Sequence, residues 1–204
     1  SFLTLGGVIT DNGGAGGGTS GIIKTGLGTL ALTNNNSFGG SIIVNEGVMV
    51  LGGATGNNPL PLANADVTIT SNGTLALENN GLSNSGLIVY QGLSITVNPN
   101  SNYANLFVSN ASSIGVTVSG NGTGNAIKIP QLTMTGTQVL NLASANAYSI
   151  IFQNVTDTTG APRFNVAAGT TAYVYGYTPG NKPINIGLGS LYFPDIVTQG
   201  TTTT

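Results

Sequence analysis

A repeat inside the chain constrains the fold more than any other feature of the sequence. Residues 28–35 read GTLALTNN and residues 73–80 read GTLALENN, so seven of eight positions are identical at an offset of 45. The offset continues further, since IIVNEGVMV at 42–50 corresponds to LIVYQGLSI at 87–95, with a glycine at the same place. Like residues at a fixed offset favour a solenoid, in which each coil stacks on the previous one.

The repeat also predicts how the chain is organised, as one β-solenoid domain over 1–204. Residues 21–65 and 66–110 are the two clear copies, and a glycine-rich lead-in covers 1–20. Residues 111–204 keep only the order of an apolar strand, a glycine and a second strand. This pattern predicts coils whose sequences have diverged from the two clear copies.

Apolar residues alternate with polar ones inside each copy, for example at Leu30 and Leu32 and again at Ile42 and Val44. A period of two is typical of a β-strand with one buried face, and the Asn, Gly and Ser clusters between runs are typical of turns. Evenly spaced short strands fit a sandwich or a solenoid, and the fixed offset favours the solenoid. We expect two coils of about 22 residues in each copy and roughly nine coils in the chain, about 4.8 Å apart.

Asparagine runs recur in the turns, at 34–36, 57–58 and 79–80. When coils stack in register, side-chain amides at equivalent positions can bond to one another up and down the stack. We therefore expect these runs to form amide ladders between coils.

The composition excludes several classes of function. Histidine, cysteine and tryptophan are absent, and charged residues make up 5% of the chain with a net charge of −2. The commonest general base, thiolate chemistry and the usual zinc ligands are therefore missing, and nothing forms a basic patch for nucleic acid. No run of 18 apolar residues could insert into a membrane as a helix. We expect no enzyme, no cofactor and no metal site.

The acidic residues do not form a repeated set either. Glu78 aligns with Thr33 at the offset of 45, so an acidic ladder is not maintained. Asp157, Arg163 and Lys182 are the best local cluster, because separations of 6 and 19 residues could bring them together across adjacent coils. Solvated charges in turns explain them equally simply, and we favour that interpretation.

One stretch carries a family resemblance. GIIKTGLGTLALTNNNSFGGSIIVNEGVMVLGG at 21–53 resembles the autotransporter-associated β-strand repeat of bacterial surface proteins. The matching positions are Lys24, Thr25, Gly26, Gly28, Thr29, Leu30, Leu32, Phe38, Gly39, Gly40, Val44, Asn45, Gly47 and Leu51. The resemblance implies an all-β, right-handed parallel β-helix that is exported and displayed outside the cell or on its surface. It implies no particular activity, because such passengers include adhesins, enzymes and structural rods.

Apolar residues at the flank and ends predict self-assembly. Where Val44, Met49 and Leu51 face inward, their neighbours face outward and form a patch that a soluble monomer rarely exposes. The ends of a solenoid present unpaired backbone groups, and no amphipathic helix caps either end. Uncapped ends are equally consistent with a chain from which further repeats have been cut away. The candidate self-assembly residues are Ile43, Val48 and Val50 on the flank, Phe2 and Leu3 at one end, and Tyr192 and Phe193 at the other.

The function that these features favour is structural. We expect a subunit of an extracellular filament, sheath or surface layer, whose partners are copies of itself. The alternative is an adhesin stalk or a glycan-binding passenger domain with surface glycans as partners. Tyr173, Tyr175 and Tyr177 would carry that activity, because they are predicted to lie on one strand face where they could stack against sugars. An enzyme ranks third.

Overall fold

The fold was determined as a computed structural model of the 204-residue chain. It describes residues 1–11, 19–34, 36–52, 66–70, 72–79, 87–90, 92–97, 103–110, 124–134, 139–157, 163–178, 184–185 and 187–194. Over these ranges the only regular elements are β-strands, and no helix occurs that is long and apolar enough to cross a membrane.

The strands follow one another at short intervals, as the alternating apolar runs predict. They are β1 (Phe2–Leu5), β2 (Ile22–Lys24), β3 (Thr29–Leu32), β4 (Ile42–Val44), β5 (Gly47–Gly52), β6 (Asp66–Ile69), β7 (Gly73–Asn79), β8 (Leu87–Val89), β9 (Ser94–Val97), β10 (Tyr103–Asn110), β11 (Ala126–Met134), β12 (Val139–Ser144), β13 (Ser149–Asp157), β14 (Arg163–Val166), β15 (Thr171–Val174), β16 (Tyr177–Thr178), β17 (Ile184–Asn185) and β18 (Ser190–Tyr192).

The chain alternates between two parallel sheets, which is the topology of a β-solenoid. The first sheet has eight strands in the order β1-β3-β5-β7-β10-β12-β14-β17. The second has ten, in the order β18-β15-β13-β11-β9-β6-β4-β2, with β8 and β16 beside β11 and β13. The pairings between described strands are parallel throughout. The predicted all-β solenoid is confirmed, but the count of nine coils is wrong, because the described chain makes only eight passes through the first sheet.

The 45-residue repeat spans two coils of unequal length. In the first sheet Leu30 lies beside Met49, 19 residues later, and Met49 lies beside Leu75, a further 26 residues on. The near-identical octets at 28–35 and 73–80 are therefore two levels apart, with β5 between them. The repeat unit is a pair of coils because only every second level repeats the sequence.

The two copies diverge in the middle of the unit. In the first copy the chain leaves the second sheet after Val44 and enters the first sheet at Gly47. In the second copy it stays in the second sheet, where β9 pairs with β6. Tyr90 occupies the position equivalent to Asn45, and its ring is fully buried in the core. A polar turn residue can remain at the surface, whereas burying this large ring keeps the backbone against the core.

Inward-facing apolar residues stack in register and form one continuous core between the sheets. One column in the first sheet contains Met49, Leu75, Leu106, Leu142 and Val166. A facing column in the second sheet contains Ile42, Val67, Ile95, Leu132 and Val155. All are buried, and each such side chain contributes about 1.5–3 kcal/mol through removal of apolar surface from water.

An asparagine ladder is present, but at positions other than those predicted. On the outer face of the first sheet, Asn165 Nδ2 donates to Asn141 Oδ1 at 2.7 Å, and Asn141 Nδ2 donates to Asn105 Oδ1 at 2.9 Å. The predicted residues Asn34 and Asn36 instead bond to backbone groups, including the carbonyl of Gly6. Residues 35, 57–58 and 80 lie outside the described part of the chain, as does the side chain at 79.

Candidate functional site: the end coils and the outer face of the second sheet

The first end of the solenoid exposes apolar side chains. Strands β1 and β2 are the edges of their sheets, and each pairs on one side only among the described strands. Leu3 belongs to an inward-facing column, yet it is exposed because no described coil lies beyond it, and Phe2 is exposed beside it. Leu27 and Ile23 are 83% and 64% exposed at the same end. Phe2 and Leu3 are among the candidate self-assembly residues that the sequence suggested, whereas the more exposed Leu27 is not.

The second end of the solenoid also exposes large hydrophobic side chains. Strand β18 is an edge of the second sheet, and Leu188, which precedes it, is 91% exposed. Tyr192 is exposed and stacks on Tyr173 of the neighbouring coil, with ring centroids 5.3 Å apart and planes inclined by 21°. Phe193 is half-buried against the core. Both residues lie where the sequence predicted, at the second end.

The predicted apolar flank is smaller than expected. Ile43 and Val48 are half-buried on the outer faces, but Val50 has no exposed surface, so its predicted place in an exposed patch is wrong. Its outward-facing neighbours Ala31 and Ala76 are equally covered. Alternation along a strand gives the direction of a side chain but not what covers it, which is why the sequence misplaced Val50.

The predicted tyrosine face is also wrong in part. Tyr173 faces outward and Tyr175 is half-buried, but Tyr177 belongs to the core and lies beside Val155. Two residues, Tyr175 and Gly176, separate the inward-facing Val174 from Tyr177, so the alternation shifts by one position at this point. The three tyrosines therefore do not share one face.

The same shift recurs at equivalent positions in adjacent coils. Gln153 and Asn154 are both exposed between the buried residues Phe152 and Val155. In the coil before, Pro130 and Gln131 separate two buried residues in the same way, and Gln131 lies beside Asn154. The motifs FQNV and VYGY break the apolar alternation, so this signal was readable in the sequence.

A groove of about 510 Å³ lies on the outer face of the second sheet at these stacked breaks. Its described lining residues come from four coils and combine apolar, amide, aromatic and cationic side chains. They are Leu87, Lys128, Ile151, Gln153, Asn154, Tyr175 and Gly176. Of the predicted tyrosines, only Tyr175 is part of it.

A buried lysine explains several residues of the repeat motif. Lys24 is 7% exposed, and its ammonium group donates to the carbonyl oxygens of Thr25 and of Glu46 in the next coil, each at 3.0 Å. In return, the amide of Gly26 donates to Glu46 Oε2 at 3.1 Å. Lysine is rarely buried without such partners, so this residue fastens two successive turns to each other.

Glu78 is the ionisable group that the sequence gave no reason to single out. It is completely buried, and neither carboxyl oxygen has a hydrogen-bond partner among the residues that the structure describes. Burial penalises the charged form and raises the pKa of Glu78 from its ordinary value of 4.5 to about 8. The hydroxyl of the buried Tyr90 lies 2.9 Å from the backbone carbonyl of Glu78 and 3.1 Å from that of Leu51. Burial, and then the nearby charge of Glu78, raise the pKa of Tyr90.

The structure places two residues of the candidate catalytic cluster, in different sheets. Asp157 ends a strand of the second sheet, Arg163 begins a strand of the first sheet and is exposed, and Lys182 lies outside the described residues.

Comparison with known families identifies one segment. Residues 22–51, which contain β2 to β5, match the family model described as the passenger-associated-transport-repeat. The solenoid and this match fit an autotransporter passenger repeat. No match to the chain was found among the curated proteins or among the solved structures.

Proposed function

We propose that this chain is a structural subunit that assembles end to end with copies of itself outside the bacterial cell or on its surface. The passenger-type repeat and the parallel solenoid together indicate an autotransporter passenger-type surface protein. The finer role, self-assembly into a filament, sheath or surface layer, rests on the chemistry of the two end coils.

The observation that carries the proposal is where the exposed apolar side chains lie. Of the eight large hydrophobic side chains that are exposed in the described chain, seven belong to the end coils. They are Phe2, Leu3, Val8, Ile23 and Leu27 at one end and Leu188 and Tyr192 at the other. Only Leu87 lies between the ends. Exposed apolar surface of this kind marks a site of association.

The unpaired strand edges at the two ends also support end-to-end assembly. Strands β1 and β2 face one end, and β17 and β18 face the other, with one edge of each left unpaired among the described strands. An additional coil can join such an edge by parallel strand pairing, and its apolar residues would then cover the exposed columns. Contact between opposite ends is heterologous, and such a contact gives a fibre when it does not close into a ring.

Electron microscopy of the purified chain at neutral pH tests the proposal. We expect uniform fibres with a meridional repeat of about 4.8 Å, the spacing of neighbouring strands. Leu27→Lys and Leu188→Lys place a charge in opposite ends and should each abolish fibres. Leu87→Lys is the matched control, because it adds the same charge to an exposed leucine between the ends, and it should still assemble.

Two results would contradict self-assembly. One is a wild-type chain that stays as single short rods at high concentration. The other is fibres that form equally well with lysine at either end. Single rods would instead favour the alternative role of an adhesin stalk or glycan-binding passenger domain.

A further inference from the structure

The groove on the outer face of the second sheet is built on a fixed backbone. Asn154 Nδ2 donates to the carbonyl of Pro130 in the preceding coil at 3.2 Å, and the amide of Tyr175 donates to the carbonyl of Phe152 at 2.8 Å. Gly176 has φ +56°, and a Cβ at this position would lie 2.6 Å from Asn154 Oδ1. Only glycine fits there, so these contacts hold three successive coils in one arrangement.

The lining of the groove combines three kinds of chemistry. Leu87 and Ile151 provide apolar surface, and Leu87 is the one large exposed hydrophobic residue between the ends in the described chain. Gln153 and Asn154 present exposed amides, which both donate and accept hydrogen bonds. Tyr175 adds an aromatic ring with a hydroxyl. The volume of about 510 Å³ falls in the range of roughly 300–1,000 Å³ that is usual for small-ligand sites.

The described lining of the groove carries a positive charge. Among its described lining residues Lys128 is the only cation, and none is acidic. Lys128 is half-buried in the middle of the sheet, with Val89 on one side and Ile151 on the other in register. In a chain with four basic residues in 204, one cation placed among amides and an aromatic ring favours a ligand with negative charge.

A row of outward-facing side chains extends from the groove along the solenoid axis. Lys128, Ile151, Tyr173 and Tyr192 lie side by side in four successive coils, and the last two rings are stacked. Three strand spacings separate the ends of this row, which makes it about 14 Å long. A row of this length suits an extended polymer better than a single small molecule.

We propose that this groove binds one strand of an acidic polysaccharide. The apolar face of a sugar ring would pack on Tyr175, the amides of Gln153 and Asn154 would bond to hydroxyl groups, and Lys128 would pair with a carboxylate or sulfate. This activity differs from end-to-end assembly, and its ligand contacts are Lys128, Gln153, Asn154 and Tyr175, none of which is among the exposed apolar residues of the end coils, so either can hold without the other.

Affinity electrophoresis of the whole chain in gels containing a defined polymer tests this site. We expect polygalacturonate, a carboxylated polymer, or dextran sulfate, a sulfated one, to retard the protein, and neutral dextran to have little effect. Whichever acidic polymer binds identifies the acidic group. Lys128→Gln and Tyr175→Ala should each weaken binding by about tenfold, the loss of one charge-assisted or stacking contact.

Arg163→Gln is the matched control, because it removes an exposed cation from the first sheet, away from the groove. It should leave binding unchanged, and melting curves should show that all the variants fold. Equal retardation by dextran, no binding to either acidic polymer, or an equal loss in Arg163→Gln would each overturn the proposal. Binding should also weaken as salt rises, because Lys128 is partly exposed to solvent.

Discussion

At the scale of single residues, two of the few charged groups of this chain are buried. Lys24 is buried and bonds to backbone carbonyls of two successive turns, while Glu78 is buried and its carboxyl group has no hydrogen-bond partner in the described part of the chain. The two groups affect the free energy of unfolding in opposite directions. A buried ammonium with several acceptors stabilises the turns that it joins, whereas a buried carboxyl group without partners costs stability when it is charged.

Gly47 offers a direct test of the turn that Lys24 fastens. Its φ is +71°, and a Cβ there would lie 2.5 Å from the carbonyl oxygen of Gly28 and 2.8 Å from Lys24 Nζ. Gly26 has a similar φ of +74° but no atom within 4 Å of such a Cβ. Gly26→Ala should therefore cost about 1 kcal/mol of unfolding free energy from backbone strain alone, and Gly47→Ala should cost about 2–4 kcal/mol. Urea unfolding measures both, and equal losses would contradict the crowding argument.

Glu78 predicts an unusual dependence of stability on pH. Its pKa is about 8 in the folded chain and near 4.5 when unfolded, so between these values the folded state holds one more proton. Stability from this group is therefore complete below pH 4.5 and is lost as the pH rises toward 8. Relative to Glu78→Gln, the wild-type chain should lose about 1.4 kcal/mol for each pH unit in this window. Unfolding curves from pH 4 to pH 9 measure the difference, and parallel profiles would contradict it.

At the scale of elements, side-chain contacts on the outer faces hold neighbouring strands in register. The asparagine ladder joins β10, β12 and β14, with its first residue also donating to the carbonyl of Gly73 in β7 at 3.2 Å. Register in a parallel stack is otherwise fixed mainly by the apolar columns inside. The ladder adds a second, polar constraint on the side that faces away from the core.

The middle residue of the ladder should contribute more than its last one. Asn141 both donates to Asn105 and accepts from Asn165, whereas Asn165 takes part in one of these bonds. At about 1 kcal/mol for each hydrogen bond, Asn141→Ala should lower the unfolding free energy by about 2 kcal/mol and Asn165→Ala by about 1 kcal/mol. Chemical denaturation of the two variants provides the measurement. If both lose the same amount, the bonds do not act as a ladder.

At the scale of the whole molecule, the solenoid is held together mainly by contacts between neighbouring coils. Each inner coil therefore has its apolar column covered on both sides, and an end coil is covered on one side only. This difference places Leu3 in water although Met49 and Leu75, further along the same column, are buried. With only 5% charged residues, little electrostatic repulsion opposes contact between two such ends. The same architecture thus explains both the exposed residues and the proposed assembly.

Much of the fold could be predicted because its signals are local and periodic. Alternation identified the strands around Leu30 and Ile42, and the offset of 45 identified the stacking of like coils. The positions of Phe2, Leu3 and Tyr192 at exposed ends followed from the same reasoning. The prediction was wrong where the alternation breaks. Two outward-facing residues in succession turn Tyr177 toward the core, and the groove lies at the same breaks.

By itself, the sequence determined that this chain is an all-β solenoid with a two-coil repeat and almost no ionisable chemistry, because composition and periodicity are properties of the chain alone. Only the tertiary structure decided that Val50 and Glu78 are covered, that Tyr90 keeps the chain in the second sheet, and that Lys128 lies near Tyr175. These facts depend on which coils lie beside one another. Whether a residue is buried, and which residues lie next to it, depends on residues far apart in the sequence. No local pattern can therefore specify either property.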